Sequence, residues 1–329
     1  MNKIKAGIVG AAGYTGGEML RILLNHPQVE LYFVLSNSSA GKPVFEIHRD
    51  LLGETEICFD AEMKDGADVI FLCVGHGDAI KFINEHSFSP DVKIIDLSQD
   101  FRLEKEKDHS TSKRSFVYGL PELNREEIKS AFNIANPGCF ATAIQLALLP
   151  LAFHKLLKNE IQVSAITGST GAGQSLSPTS HFSWRENNLS VYKAFSHQHL
   201  NEINQSVRTL QPEFDNKINF IPYRGDFTRG IIASVYMHCD SSIKDILAYF
   251  HTYYEGHPFA WVSDEPVDLK QVINTNKAFL SLEKKDDMLL IVSVLDNLVK
   301  GASGQAVQNM NLLFGLREDE GLRLKGIAF

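Results

Sequence analysis

Cysteine is scarce and scattered in this chain. Its 329 residues include four, Cys58, Cys73, Cys139 and Cys239, and no two stand close together. Such spacing excludes a zinc ribbon and offers no disulfide framework, so a reduced, cytoplasmic protein is expected. A basic excess is also lacking: the formal net charge is −8, the wrong sign for a nucleic-acid-binding surface. No apolar run is long enough to span a membrane, because Gln145, Pro150, His154 and Lys155 interrupt "AIQLALLPLAFHKLL". The opening "MNKIKAGIVGAAGYTGG" is too rich in glycine to read as a signal peptide. Repeats and low-complexity segments are absent as well. What remains is a globular chain, 44% hydrophobic and 22% charged, with length enough for two domains. A small molecule is the expected partner.

Through the first hundred residues, short apolar runs alternate with amphipathic stretches. "IKAGIVG" (4–10), "VELYFVLS" (29–36), "ADVIFLCVG" (67–75) and "VKIIDLS" (92–98) read as buried strands. "GGEMLRILLNHP" (16–27) reads as a helix closed by proline. This alternation specifies an α/β fold, a doubly wound parallel sheet of the Rossmann type. A long apolar helix follows, over about 140–157. Beyond it come "IQVSAITGST", "GIIASVYMH" and "LLIVSVLDN", strand-like runs often joined without helices, which indicate a second, mixed α+β domain. The expected boundaries are 1–140, completed by a C-terminal helical segment at 301–329, and 141–300 for the second domain. The charge-rich "RLEKEKDHSTSKR" (102–114) reads as a solvated surface segment.

Directly after the first strand stand Gly10, Gly13 and Gly16 in the spacing GxxGxxG, with Tyr14 and Thr15 before the last glycine. This is a variant of the dinucleotide fingerprint, in which glycine permits a tight turn and brings a helix N-terminus against a pyrophosphate. An NAD site has an acid at the end of the second strand for the ribose 2′-hydroxyl. Here that position holds Ser36, Asn37, Ser38 and Ser39, then Lys42, with no carboxylate among them. Hydroxyls and a nearby cation suit a 2′-phosphate, so NADP is the expected cofactor.

Cys139 lies in "ANPGCFATA" (135–143), where loop-forming Asn136, Pro137 and Gly138 give way to a helix. A helix dipole favours thiolate at that position, whereas a small cysteine is equally at home in a core, and the residues alone leave both open. Cys58, Cys73 and Cys239 lie in or beside apolar runs and read as packing. For acid–base work the chain offers His197 and His199 in "FSHQHLNEI", with Glu202 just beyond. A His-x-His pair can be half a metal site, but no third ligand follows, so no metal is expected. His76, in "VGHGD", follows a strand end. "GSTGAGQ" (168–174), with Ser169, Gly171 and Gly173, is a second glycine-rich loop with many backbone donors. "DLSQDFR" (96–102) places Arg102 just after a strand, and both segments suit an anionic group.

Taken in order, "GIVGAAGYTGGEML", "DLSQDFRL", "YGLPEL" (118–123), "NPGCFAT" (136–142), "GSTGAGQ", "HQHLNEI" (197–203) and "DNLVKGASGQAVQNMN" (296–311) form one series. The series resembles the N-acetyl-γ-glutamyl-phosphate reductase family, a relative of the aspartate-semialdehyde dehydrogenases, over nearly the whole chain. "NPGCFAT" beside "YGLPEL" is the most specific pairing. The resemblance implies NADPH-dependent reductive dephosphorylation of an N-acylated γ-glutamyl phosphate to its semialdehyde, in arginine biosynthesis. It implies Cys139 as the nucleophile that forms a thioester, and His197 as general acid–base, with His199 and Glu202 beside it. Arg102, Asn136, Ser169, Arg224 and Arg229 would surround the substrate. Gly10, Gly13, Tyr14, Thr15, Gly16, Ser36, Ser38, Ser39, Gly171, Gly173, Asn297 and Gln305 would contact the cofactor. A homodimer or homotetramer is implied too, with catalysis and dimerisation in the second domain.

Several positions depart from the family pattern. Phe140 stands where tyrosine is usual, and Gly75-His76-Gly77 replaces Pro-His-Gly. "HQHLNE" lacks an arginine and a proline, and the loop after "DFRL" is short. Arg224 occupies a usually apolar position in "PYRGDFTRG", where it either forms a structural ion pair or meets a larger, anionic acyl group such as N-succinyl. Aspartate-semialdehyde dehydrogenase is the alternative within the same chemistry, against which "HQHLNEI" and "YGLPEL" argue. A non-catalytic NADP-binding sensor is the alternative of a different class, and it makes the thiol dispensable.

Overall fold

The computed structural model describes residues 3–104 and 114–327, so residues 105–113 of the charge-rich segment lie outside the described residues. The chain divides into two compact units. One holds the described residues up to Pro137 together with Ala302–Arg323, and the other holds Gly138–Gly301 and the residues from Leu324 onward.

In the first unit β1 (Ile4–Val9) leads through the glycine turn into α1 (Tyr14–Leu24). There follow β2 (Val29–Leu35), β3 (Val69–Leu72), α2 (Asp78–Glu85), β4 (Lys93–Asp96), β5 (Val117–Tyr118), α3 (Pro121–Ser130) and β6 (Asn133–Ala135). All six strands join one parallel sheet in the order β2-β1-β3-β4-β6-β5. Ile8, Val69, Phe71, Ile94 and Ile95 have no exposed surface, as expected of continuous apolar strands covered on both faces. The four strands and the first helix expected from periodicity are all present, each a little shorter than its apolar run. Because β1 lies between β2 and β3, the winding direction reverses beside it, where doubly wound sheets bind their ligands.

The second unit begins with α4 (Cys139–Phe153) and β7 (Ile161–Thr167), then α5 (Phe182–Arg185), β8 (Ser190–Val191), α6 (His199–Leu210) and β9 (Ile218–Arg224). It continues through β10 (Ile231–His238), α7 (Ile243–Tyr254), β11 (Ala260–Ser263), β12 (Ala278–Lys285) and β13 (Met288–Leu295). Its seven strands form a mixed sheet, β11-β12-β13-β10-β7-β9-β8. The last helix, α8 (Gly304–Leu313), belongs to the first unit. Helix α4 is buried from Phe140 to Ala152 and packs against α6, α7 and the sheet, so apolar residues on every side suit it. Pro150 in its last turn has no N–H for the Leu146 carbonyl, and the Tyr254 hydroxyl donates to that carbonyl instead. On β9, Ile218, Phe220 and Pro222 alternate on the buried face, and Arg224 ends the same face. No helix among the described residues is long and apolar enough to cross a membrane.

Candidate active site

Cys139 is the first residue of α4. Gly138 precedes it in extended conformation, no side chain caps the helix start, and no acid lies in the first turn. The helix N-terminus therefore favours thiolate at this residue. The Gly138 N–H donates to Glu202 Oε2 at 3.0 Å, and Glu202 Oε1 lies 3.9 Å from His199 Nε2. One buried carboxylate thus holds both the residue before the thiol and an imidazole. A Cβ on Gly138 would lie 2.3 Å from His199 Nε2, so glycine is what lets the ring rest on this backbone. From another side, a Cβ on Gly301 would come within 2.9 Å of Cys139 Cβ. Gly301 sits in a π-turn, Val299–Ser303, and its N–H donates to the Asp296 carbonyl at 2.8 Å.

His197 meets His199 edge-on, with ring centroids 4.5 Å apart, and Phe140 touches both rings at 5.6 and 6.3 Å. The His199 N–H donates to His197 Nδ1 at 3.2 Å, which leaves the proton of a neutral His197 on Nε2. Burial first, then the nearby Lys193 and Arg224 cations, lower the His197 pKa to about 4. His197 is therefore a neutral N–H donor at ordinary pH. Of the other thiols, burial pushes Cys73 up to about 12, Cys239 is buried, and Cys58 is exposed.

Arg229 Nε stands 3.1 Å from Asp296 Oδ2, and Asp296 also accepts the N–H groups of Asn274, Leu298 and Val299. Asp296 thereby neutralises Arg229 and shapes the turn that carries Gly301. The side chain of Asn297 accepts the Gly230 N–H at 2.7 Å and donates to Thr170 Oγ1 at 3.0 Å. It fastens the "GSTGAGQ" loop to the "FTRG" stretch, as does the Ser169 N–H, which donates to the Phe227 carbonyl at 2.8 Å. Gly171 and Gly173 lie exposed on that loop. Arg224 carries its guanidinium 4.6 Å above the Tyr192 ring, and that ring meets His197 at 5.8 Å. Burial, and then the charge at Cys139, push the Tyr192 phenol up to about 12, with Arg224 opposing.

In the first unit, Gly10 has φ +78°, and a Cβ there would lie 2.4 Å from the Cys73 carbonyl oxygen. At Gly16 it would lie 2.5 Å from the Ala11 carbonyl oxygen, whereas at Gly13 the nearest atom is 3.6 Å away. Helix α1 begins at Tyr14 without a side-chain cap and without an acid in its first turn. This uncapped start beside a tight glycine turn fits a dinucleotide pyrophosphate. Thr15 turns its hydroxyl toward Cys73, and its carbonyl accepts from Ser303 Oγ at 2.8 Å. Ser36 and Ser39 are buried and Ser38 is exposed in the turn after β2, with Ser36 Oγ and Ser38 Oγ 3.4 Å apart.

A carboxylate from outside that stretch also stands near the end of β2. Asp60 pairs with Leu35 as a β-bridge; its Oδ2 accepts the Val34 N–H at 2.8 Å and its Oδ1 meets Lys64 at 2.7 Å. Both oxygens are engaged within the protein. Arg102 is buried, donating from Nε to the Asn136 carbonyl and from Nη2 to the Leu97 carbonyl, each at 2.8 Å. The Asn136 amide donates to the Ala302 carbonyl and accepts from Asn309, both at 3.1 Å. Gln305 is fully buried in α8, and His76 Nδ1 accepts the Gln99 N–H at 3.1 Å.

The second unit therefore brings together Cys139, His197, His199 and Glu202, with Arg224 joined through Tyr192 and Arg229 through Asp296. The glycine turn, the serine turn, Arg102, Asn136 and Gln305 lie in the first unit. Sequence reasoning missed Tyr192, Asp296, Gly138 and Gly301 as parts of this assembly. It also missed His48, whose Nε2 lies 2.8 Å from the Ala11 carbonyl of the glycine turn.

Comparison with known proteins gives a consistent result. Residues 5–131 match the semialdehyde dehydrogenase NAD binding domain, and residues 139–297 match the semialdehyde dehydrogenase dimerisation domain. An N-acetyl-gamma-glutamyl-phosphate reductase of Flavobacterium johnsoniae is 55% identical, covering 99% of this chain and 100% of its own. One from Parabacteroides distasonis is 54% identical with the same coverage. Among solved structures, aspartate semialdehyde dehydrogenase II of Vibrio cholerae is similar in fold, with TM-score 0.70 and 17% identity over 96% of this chain and 99% of that one. An aspartate semialdehyde dehydrogenase with NADP from Candida albicans has TM-score 0.69 and 15% identity over 95% and 99%.

Proposed function

The chain belongs to the N-acetyl-γ-glutamyl-phosphate reductases, and from that membership we propose the following reading of its site. The reaction is NADPH-dependent reduction of an N-acyl-γ-glutamyl phosphate, N-acetyl in the family's name, to the semialdehyde and inorganic phosphate, within arginine biosynthesis. The observation that carries the assignment is Glu202, which anchors both the Gly138 N–H and His199 beside Cys139.

His199, held beside Glu202, takes the Cys139 proton. The thiolate attacks the acyl carbon, the bond to phosphate oxygen breaks, and a thioester forms on Cys139. An acyl phosphate is already activated, so this step calls for no metal. Bound NADPH supplies the hydride that takes the thioester to the hemithioacetal level. His197 Nε2–H and the backbone at the start of α4 hold the carbonyl oxygen as it gains charge. The C–S bond then breaks, and the helix dipole stabilises the departing thiolate.

His197 is thus a donor here, and the base is His199, because His197 Nδ1 is already occupied by a backbone N–H. Gly10, Gly13 and Gly16 would hold the pyrophosphate, and the Ser36–Ser39 turn the 2′-phosphate. The family's dimerisation domain supports a homo-oligomer, a dimer or a dimer of dimers, and we place the enzyme in the cytoplasm.

The test is reduction of NADP by N-acetylglutamate semialdehyde. It should require inorganic phosphate and vanish both on alkylation and in Cys139→Ser. The variant should still bind NADPH, as followed by nucleotide fluorescence. Turnover without the thiol would remove the thioester mechanism, whereas nucleotide binding by the wild type with no turnover would favour a sensor.

A further inference from the structure

We infer that Arg224 is the ligand for a carboxylate at the far end of the substrate's N-acyl group, so that this chain prefers a dicarboxylic acyl group such as N-succinyl over N-acetyl. The inference rests on the reductase reading above and specifies its substrate. Three observations carry it.

First, Arg224 closes the buried face of β9 after Ile218, Phe220 and Pro222, and Phe220 on that face meets Phe140 at 5.2 Å and His197 at 5.5 Å. The guanidinium therefore belongs to the face that supports the thiol site. Second, it has no carboxylate partner among the described residues, and its Nε is buried without a hydrogen bond. It rests on the Tyr192 ring. The structural ion pair that would make Arg224 unremarkable is not formed. Its neighbours are differently occupied: Arg229 is matched by Asp296, and Arg185 donates to the carbonyls of Thr179, Asn188 and Arg224 and to Ser190 Oγ. A half-buried guanidinium held against Tyr192 by ring contact and a side-chain hydrogen bond, with its Nε unsatisfied, is suited to a carboxylate.

Third, a succinyl arm has the reach. Three backbone bonds span 3.80 Å in an extended chain, so each bond advances roughly 1.3 Å. The substrate's α-carboxylate is four bonds from the reacting carbon, about 5 Å, and a succinyl carboxylate is eight bonds away, about 10 Å. Tyr192 lies 5.8 Å from the His197 ring and the guanidinium 4.6 Å from the Tyr192 centroid, so Arg224 stands no farther from His197 than about the length of a succinyl arm. An acetyl group offers it no charge.

The experiment measures kcat/KM in the reductive direction for N-succinyl- and N-acetyl-γ-glutamyl phosphate. It uses the wild-type enzyme, Arg224→Gln and Arg224→Lys, with NADPH affinity as a check on folding. Wild type should prefer the succinyl substrate at least tenfold. Arg224→Gln should shift the ratio of the two values toward acetyl by 30- to 100-fold, and Arg224→Lys should recover part of it. A wild-type preference for acetyl, or an equal loss on both substrates in Arg224→Gln, overturns the inference and leaves the reductase reading standing. Failure of the wild type on both substrates, with NADPH still bound, overturns the reductase reading itself and the inference with it.

Discussion

A methyl group added at Gly138 would lie 2.3 Å from His199 Nε2 and 2.6 Å from its Cε1, too close for either atom to stay in place. The ring would have to leave both this backbone and Glu202, while the thiol and the fold remain. Displacing a catalytic group by about 1 Å costs roughly a hundredfold in rate. Gly138→Ala should therefore lower kcat by about that factor, with unchanged circular dichroism and unchanged NADPH affinity. Retention of wild-type kcat would mean that His199 plays no part in the chemistry. At this scale the sequence was legible for the residues that react and silent about those that place them. Cys139, His197, His199 and Glu202 stand in short motifs. Gly138 looked like one more turn former in "NPG", and nothing local shows that an imidazole from α6 will lie against it. Tyr192 and Asp296 were hidden for the same reason: their partners, Arg224 and Arg229, are remote in sequence and meet them only once the sheet has formed.

Among elements, the β1–α1 turn was readable because its requirements are local. Gly10 needs a left-handed φ of +78°, and a side chain there would collide with the Cys73 carbonyl. Gly10→Ala should therefore open the turn and raise the Kd for NADPH at least tenfold, measured by fluorescence titration. Release of phosphate from acyl phosphate without NADPH, one equivalent per Cys139, should persist, since it uses only the second unit. Unaltered nucleotide binding would show that the pyrophosphate sits elsewhere. The serine turn was half legible. Its hydroxyls were visible, but Asp60 arrives beside β2 from a later loop and is matched by Lys64. The glycine turn is also braced from outside its own sequence: His48 reaches the Ala11 carbonyl and covers Gly17, where a Cβ would meet its ring at 2.6 Å. Periodicity finds strands and helices, but long-range braces have no period.

For the whole molecule, two buried groups in different units titrate over nearly the same range with opposite signs. His197, in the second unit, has its pKa lowered to about 4 from 6.5. Between those values the unfolded chain binds its proton and the folded chain does not, so stability from this group is lost as pH falls from about 6.5 to 4. Asp96, in the first unit, is raised to about 7 from 3.8, chiefly by burial and against the hydrogen bonds from Ser98. Here the folded chain keeps the proton longer, so stability from this group is lost as pH rises from about 4 to 7. Each contribution changes by up to ~1.4 kcal/mol per pH unit, and between pH 4 and 6.5 they nearly cancel. Removing one should expose the other. Relative to wild type, His197→Gln should lose ground as pH rises from 4 to 6.5, and Asp96→Asn should gain ground as pH rises from 4 to 7. The double variant should again run nearly parallel to wild type. Urea unfolding at half-unit pH steps, summed over all transitions, measures these differences. A His197→Gln curve parallel to wild type across that window would mean that this ring takes up its proton in the folded enzyme as it does in the unfolded chain, and the lowering of its pKa by burial would have to be given up.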